Sequence, residues 1–345
     1  MKNLFNNLIS NESKSLYREK KFRFLKNKKI LITGATGLLG THFVSFFLES
    51  LKSKYKPKKI TLIYKSALPK HFVFLKKIDK IKLIKSNLDN FDNLRIKRQD
   101  YIIHLAGYGQ PSKFSKYPIE TFKLNTQVVL SLLEKINRNG KFLYLSSSEI
   151  YSGLKNKWTE DRVGTANTDH PRACYIQSKK SGETLVNLYG KKLNISTKSV
   201  RLCLAYGPGN KIDDKRALYQ FIEKAIKKKK IEMLDSGVEK RSYIYISDTI
   251  EKLINIIFFG TKNIYNLGGE ENITILGLAK KIGKILKVPV IVPIKKQLNK
   301  IGAPFSASVK NNAYNKEFKY KKLKSLNYGL EKTIKWQKVI NKIKI

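Results

Sequence analysis

Tyr175 and Lys179, four residues apart in YIQSK, are the strongest chemical pairing in this chain. On a helix that spacing puts a phenol and an ammonium on one face. A free phenol titrates near pH 10 and is a poor base at neutrality, whereas a cation beside it favours the phenolate. Lowering a phenol by ~3 units takes about 4 kcal/mol, within reach of two cations in a partly dry cleft. Such a group takes a proton from a hydroxyl and gives it back. By itself the pair is a common structural spacing. It gains weight from Leu145-Ser-Ser-Ser-Glu-Ile-Tyr151 upstream, which reads as a buried strand running out into three hydroxyls and a carboxylate.

Elements must bring these groups to one place, and the stretch KILITGATGLLG, 29–40, says how. Lys29–Thr33 is a short, β-branched apolar run and predicts a buried strand. Gly34, Gly37 and Gly40 follow, and a helical apolar pattern runs on from His42 to Leu51. A tight strand-to-helix turn needs glycine for positive φ and for the missing Cβ. It aims backbone N–H groups and a positive helix end at one point, where a pyrophosphate can sit.

From there strands and helices alternate. Strands are expected at 59–64, 81–85, 100–105, 141–146 and 196–202, and helices at 38–51, 91–95, 118–137 and 174–190. Alternation of this kind predicts an α/β fold, a Rossmann-type doubly wound parallel sheet. Beyond Ala205 the pattern changes: helix 216–228, strand 243–246, helix 248–259, then strand, helix and strand over 264–267, 274–286 and 288–292, and an amphipathic tail helix within 329–345. The expected division is a basic extension at 1–28, with sparse apolar contacts at Leu4, Leu8, Leu16 and Tyr17, a dinucleotide-binding domain at 29–204 to which 241–260 returns, and a smaller C-terminal α/β substrate-binding domain over most of 205–345.

Composition bounds the function. The chain has 345 residues, 41% of them hydrophobic, enough for a sizeable core. Its formal net charge is +44, but the lysines are spread through every segment. That pattern argues for a solvated surface that steers anionic substrates, and against specific nucleic-acid binding. Cys174 and Cys203 lack metal-ligand spacing and read as reduced thiols, so no metal is expected. No apolar run reaches the ~20 residues that span a bilayer, and the first residues lack the apolar centre of a signal peptide. A cytoplasmic protein with no membrane association is the expectation.

As a set, TGATGLLG, HLAG at 104–107, Asn125, SSSEIY at 146–151, YIQSK at 175–179, YGPG at 206–209 and RSYIYISD at 241–248 make the chain resemble an extended short-chain dehydrogenase/reductase of the nucleotide-sugar epimerase/dehydratase family. Within that family the likeness is to UDP-glucuronate decarboxylases, carried by Ser147-Ser148-Glu149, Pro171-Arg172-Ala173-Cys174-Tyr175 and Asp213-Asp214-Lys215-Arg216. The 4,6-dehydratases usually carry an aspartate where this chain has Ser148, and simple 4-epimerases commonly lack the carboxylate at Glu149.

The resemblance implies that Tyr175, activated by Lys179 and an oxidised nicotinamide, takes the proton of a sugar 4-hydroxyl while hydride leaves C4. Ser147 shares that oxygen. The resulting ketone is β to the C5 carboxylate, and Glu149 assists loss of CO2. It also implies NAD held by Gly34, Thr36, Gly37, Leu38, Leu39, Lys65, Asn87, Leu88, Leu105, Ala106, Gly107, Asn125, Tyr175 and Lys179. A UDP- or dTDP-sugar would be held by Ser148, Arg216 and Arg241, and a homodimer formed through helices 118–137 and 174–190. Two departures stand out. The second strand ends in Tyr64-Lys65-Ser66 with no acid for the ribose hydroxyls, which keeps NADP open, and Leu204 stands where many relatives have an asparagine that touches the sugar or phosphate. A 4-epimerase or 4,6-dehydratase is the alternative chemistry. A catalytically silent dinucleotide-binding regulator is the alternative class, and the joint presence of Ser147, Tyr175 and Lys179 weighs against it.

Overall fold

The structure, a computed structural model, describes residues 6–18, 22–88, 91–155, 158–294 and 306–341. Seven strands form its central sheet: β1 Lys29–Thr33, β2 Lys59–Tyr64, β3 Ile81–Lys85, β4 Gln99–His104, β5 Ile136–Ser147, β6 Ser196–Leu202 and β7 Ile264–Leu267. Their order is β7-β6-β5-β4-β1-β2-β3, all parallel. The order reverses between β1 and β4, so the crevice outside their carboxyl ends is where such a sheet receives a ligand.

Side-chain alternation explains why both faces are covered. Ile30 and Ile32 of β1, Ile103 of β4 and Leu143 of β5 enter one core, with Phe43, Phe46 and Phe47 of helix Leu38–Ser50 and the apolar face of helix Ile246–Phe259. Leu31, Ile102, Phe142 and Tyr144 point the other way, into a core with Val128, Val129, Leu132 and Val186. A strand apolar at consecutive positions cannot face water on either side, which is the physical content of a doubly wound fold.

Three elements differ from the sequence reading. The single helix expected at 118–137 is two, Pro118–Asn125 and Gln127–Leu133, broken where Thr126 takes φ −122° and ψ −75°. Residues from Ile136 onward join β5, because Gln99 of β4 pairs with Ile136. Ile264–Leu267, read as part of the C-terminal segment, forms the far edge of the central sheet beside β6. Outside that sheet, Lys240–Tyr245 pairs with Leu204–Tyr206, Asn272–Thr274 and Ser306–Ala307, and Val290–Ile291 pairs with Ile231–Glu232.

The N-terminal helix Asn11–Arg18 packs on helix Leu38–Ser50, Leu8 and Ile9 are buried, and Leu16 and Tyr17 pack on the same core. Leu4 and residues 342–345 of the tail lie outside the described residues, and the tail helix runs Leu326–Ile340.

The glycines of the first turn have separate jobs. Gly34 has φ +68°, a conformation that disfavours a side chain, and a Cβ there would meet Ala106 N at 2.8 Å. A Cβ on Gly40 would lie 2.2 Å from the Gly34 carbonyl oxygen and 2.8 Å from the Ala35 backbone. Helix and turn touch backbone to backbone at that point. Gly40→Ala is expected to cost about 3 kcal/mol by forcing the helix off the turn. Urea melts of the two proteins check this, and an unchanged midpoint would disprove the close approach.

Candidate active site

Strand β5 ends at Ser147, whose Oγ accepts a hydrogen bond from the Glu149 N–H at 3.2 Å and so starts the short 3-10 turn Ser148–Tyr151. Helix Ala173–Leu193 carries Tyr175 and Lys179 on its first turns. The helix is anchored to β6 by a buried ion pair: Arg201 donates to Glu183 at 2.8 Å, and also to Tyr151 Oη at 2.8 Å and the Arg162 carbonyl at 2.8 Å. That pair fixes the helix, and therefore Tyr175, against the strand end bearing Ser147.

At the centre, the Ser147 hydroxyl acts on the Tyr175 phenol and favours its ionised form. The Tyr175 ring stacks on Phe114 with centroids 4.7 Å apart. Glu149 Oε1 accepts from Arg172 Nη1 at 2.5 Å, whereas its Oε2 is buried with no hydrogen-bond partner among the described residues. Arg172, three residues before Tyr175, also lies 5.5 Å from the Phe114 ring centroid. Tyr175 feels the fields of Glu149, Arg172 and Arg216, and Arg241 feels those of Glu149 and Arg172. Three guanidinium groups therefore surround one phenol and one carboxylate, an arrangement suited to an anionic ligand.

The titration of the pair differs from the sequence expectation. Burial pushes Tyr175 up to about 12, the Ser147 hydrogen bond opposing. Burial also pushes Lys179 down to about 7, with Glu183 opposing. The Lys179 ammonium donates to the Leu145 carbonyl at 2.7 Å and sits 5.7 Å from the Tyr175 ring centroid. The protein's own groups thus keep the phenol protonated, because desolvation outweighs the opposing effects of Ser147, Arg172 and Arg216. A cationic ring at the same spot is the kind of group that reverses this sign.

The residues expected around a dinucleotide fit one. Thr33 Oγ1 accepts from the Ala106 N–H at 3.2 Å, which ties β1 to the β4 end, and a Cβ on Gly107 would lie 3.9 Å from Lys179 Nζ. One continuous wall thus runs from the glycine turn through Leu105, Ala106 and Gly107 to Lys179. Thr36 and Leu39 are buried, Leu38 is half-buried, and Gly37 N–H donates to the Gly34 carbonyl at 2.9 Å. Asn87 is exposed after β3. Leu88 is buried with φ +72°, a left-handed conformation costly for leucine, held by its N–H to Ser86 Oγ at 3.0 Å.

Several expected contact residues have partners within the protein. Asn125 is fully buried, and its amide donates to Thr121 O and Ser178 Oγ, each at 3.0 Å, while Tyr144 donates to its oxygen at 3.3 Å. It braces the Tyr175 helix from behind, since its polar atoms already have protein partners. Arg216 forks onto Asp214, with Nη2 at 2.6 Å and Nε at 3.0 Å, and donates to Ala205 O at 3.3 Å, so its fork is engaged within the protein. Lys65 donates to the Tyr108 hydroxyl and also lies 4.9 Å from that ring's centroid. Ser148 is buried and acts on the Cys203 thiol, and Arg241 Nη1 donates to Lys240 O at 2.8 Å.

Arg172, Asp214 and Phe114 were missed as site residues. Arg172 and Asp214 sat inside quoted motifs, and spacing from Tyr175 and Arg216 was the available signal. Phe114 had none, being 61 residues from the ring it covers.

A buried imidazole closes the other side of the turn. His42 Nε2 bonds the Pro208 carbonyl at 2.9 Å, linking helix Leu38–Ser50 to the 206–210 loop, and burial holds it down to about 4. His104 is held to about 3 by burial and by Lys179. A histidine whose folded value lies below its ordinary one near 6.5 stabilises the fold fully above that pH. The contribution is lost as pH falls from there toward the folded value. Lys179, lowered to about 7, already makes stability fall as pH drops toward 7. Below about pH 6.5 the histidines are expected to add a further fall in melting temperature, with His42→Gln removing part of that added slope. Melts of both proteins from pH 8 to 4.5 test it; identical slopes would rule His42 out.

No helix among the described residues is long and apolar enough to cross a membrane, and no cluster of three or more His, Cys, Asp or Glu among them is placed to hold a metal.

The model of the NAD dependent epimerase/dehydratase family matches residues 30–268. UDP-glucuronic acid decarboxylase 6 of Arabidopsis thaliana is 28% identical over 278 residues, which cover 79% of this chain and 78% of that one. Decarboxylase 4 of the same plant is 28% identical over 269 residues, 75% of this chain and 58% of its own length, so the chain spans little more than half of that relative. Among solved structures, UDP-glucuronic acid 4-epimerase from Bacillus cereus, in complex with UDP-glucuronic acid and NAD, superposes with a TM-score of 0.72 at 24% identity, over 90% of this chain and 99% of that one. A dTDP-glucose 4,6-dehydratase from Bacillus anthracis, in complex with NAD, gives 0.70 at 19% identity, over 91% and 98%. At these identities the structural likeness carries the fold.

Proposed function

This chain belongs to the NAD dependent epimerase/dehydratase family, and from that premise we propose that it decarboxylates UDP-glucuronate after transient oxidation at C4. The observation that carries this reading is Glu149: one oxygen gripped by Arg172, the other buried and unpartnered, beside the Tyr175–Ser147 pair. A buried acceptor without a partner is costly unless a ligand uses it.

In this reading the Tyr175 oxygen takes the proton of the sugar 4-hydroxyl and Ser147 hydrogen-bonds the same oxygen. NAD, when bound, accepts the C4 hydride and can return it. The Lys179 ammonium, near both Gly107 and the Tyr175 ring, favours the phenolate once it is charged. The new ketone lies β to the C5 carboxylate, so the C5–carboxyl bond breaks with its electron pair moving into an enolate. The free Glu149 oxygen orders the carbon that loses CO2, or a water beside it. Arg172 keeps Glu149 in place, Arg241 meets the diphosphate, and Arg216 adds to the field. The homodimer belongs to the same proposal: Ile119 and Phe122 on helix Pro118–Asn125 and Leu188 on helix Ala173–Leu193 expose apolar side chains of the kind a partner covers.

A second reading, 4-epimerisation of the same sugar, shares the first step and draws on the likeness to the Bacillus cereus epimerase. Incubation with UDP-glucuronate, UDP-glucose and dTDP-glucose, followed by mass spectrometry, separates them. Loss of CO2 from the first is expected. Unchanged mass with a new stereoisomer would give the epimerase, and loss of water from a glucose substrate the dehydratase.

A further inference from the structure

A second pocket, of about 530 Å³, opens between helix Ile246–Phe259 and the segment 314–323. Lys252 lines it and is only 7% exposed. Its ammonium lies 3.8 Å from the Tyr314 ring centroid, and no hydrogen bond or ion pair joins it to another described residue. The two acids of the pocket already hold other lysines. Glu251 accepts from Lys321 at 3.0 Å, and Asp248 accepts from the Lys324 N–H at 2.9 Å and lies 3.4 Å from its ammonium. Lys319 and Lys322 stand exposed at the rim.

A desolvated ammonium set against a ring face has lost most of its hydration without a hydrogen-bond acceptor among the described residues in return. Asp248, Glu251 and Glu270 act on Lys252 from a distance and favour its charged form against burial. The charge balance still leaves Lys252, Lys319 and Lys322 in excess of the paired acids. Phe318 and Phe259 add apolar walls next to those cations. A compact dianion with a flat ring satisfies both features, since lysines bind phosphate as point charges.

We propose that this pocket binds an organic phosphate carrying a flat ring, its phosphate among Lys252, Lys319 and Lys322 and its ring against Phe318 and Phe259. The site is independent of the sugar chemistry proposed above and stands or falls without it.

Phenyl phosphate titrated calorimetrically into the full chain, with NAD and UDP added to fill the cleft at the sheet edge, tests it. Saturable binding is expected, tighter than that of inorganic phosphate and weakened about tenfold or more by Lys252→Met. The surface variant Lys319→Ser/Lys322→Ser, which removes no buried group, should weaken it comparably and decides the matter if Lys252→Met fails to fold. Equal affinity in the wild type and the surface variant, or no saturable heat, overturns the proposal.

Discussion

Tyr175→Phe is expected to cut turnover of the nucleotide sugar by about 10³-fold or more while NAD binds as before. The substitution removes one oxygen and keeps the ring that stacks on Phe114 at 4.7 Å, so the fold has no reason to change. What goes is the phenol on which the Ser147 hydroxyl acts. Burial drives that phenol up to about 12 among protein groups alone, so its use as a base depends on further positive charge arriving beside it. The wild-type rate should therefore climb with pH and level off at a value well below 12, and the variant should show no such rise. Product formation followed by mass spectrometry, with NAD binding measured on the same preparations, gives both numbers. Activity within tenfold of wild type would end the assignment of Tyr175 as the base.

Glu149→Gln carries the second large effect. CO2 release is expected to fall about 10²-fold, with the KM for UDP-glucuronate changed far less, because the substrate's diphosphate is held elsewhere. The amide keeps the shape but loses the charge that the free oxygen brings to the cleft. Arg172→Met should produce a similar loss, since it frees Glu149 from a 2.5 Å ion pair that fixes the carboxylate's position. The two changes act on one unit, so the double variant should be little slower than either single one, and additive losses would separate the residues. Release of CO2 at the wild-type rate by Glu149→Gln would remove Glu149 from the decarboxylation step, whereas no CO2 from the wild type would remove the decarboxylase reading itself.

Much of the architecture could be read from local pattern. Lys29–Thr33 and Lys59–Tyr64 follow the apolar, β-branched runs of the sequence. A parallel strand buried on both faces leaves a continuous apolar signature, and a glycine turn leaves a spacing. Both are short-range properties, visible in a few residues. The same holds for Tyr175 and Lys179, whose relation is fixed by one helical turn.

What the tertiary structure alone decided is every relation between distant segments and every property set by depth. The apolar pattern of 118–137 runs on unbroken, yet the helix breaks at Thr126 and stops at Leu133, ahead of Ile136, which pairs with Gln99 across the sheet. Asn125 and Arg216 carry residue types suited to a ligand, yet their polar atoms find protein partners, Ser178 and Asp214, first. Arg172 reaches Glu149 across 23 residues, and Phe114 covers Tyr175 from a different helix. The charge state of Tyr175 follows the same rule. Sequence can name a phenol and an ammonium one turn apart, but the balance between desolvation and attraction depends on how much water the fold removes, and that is a property of the packed molecule.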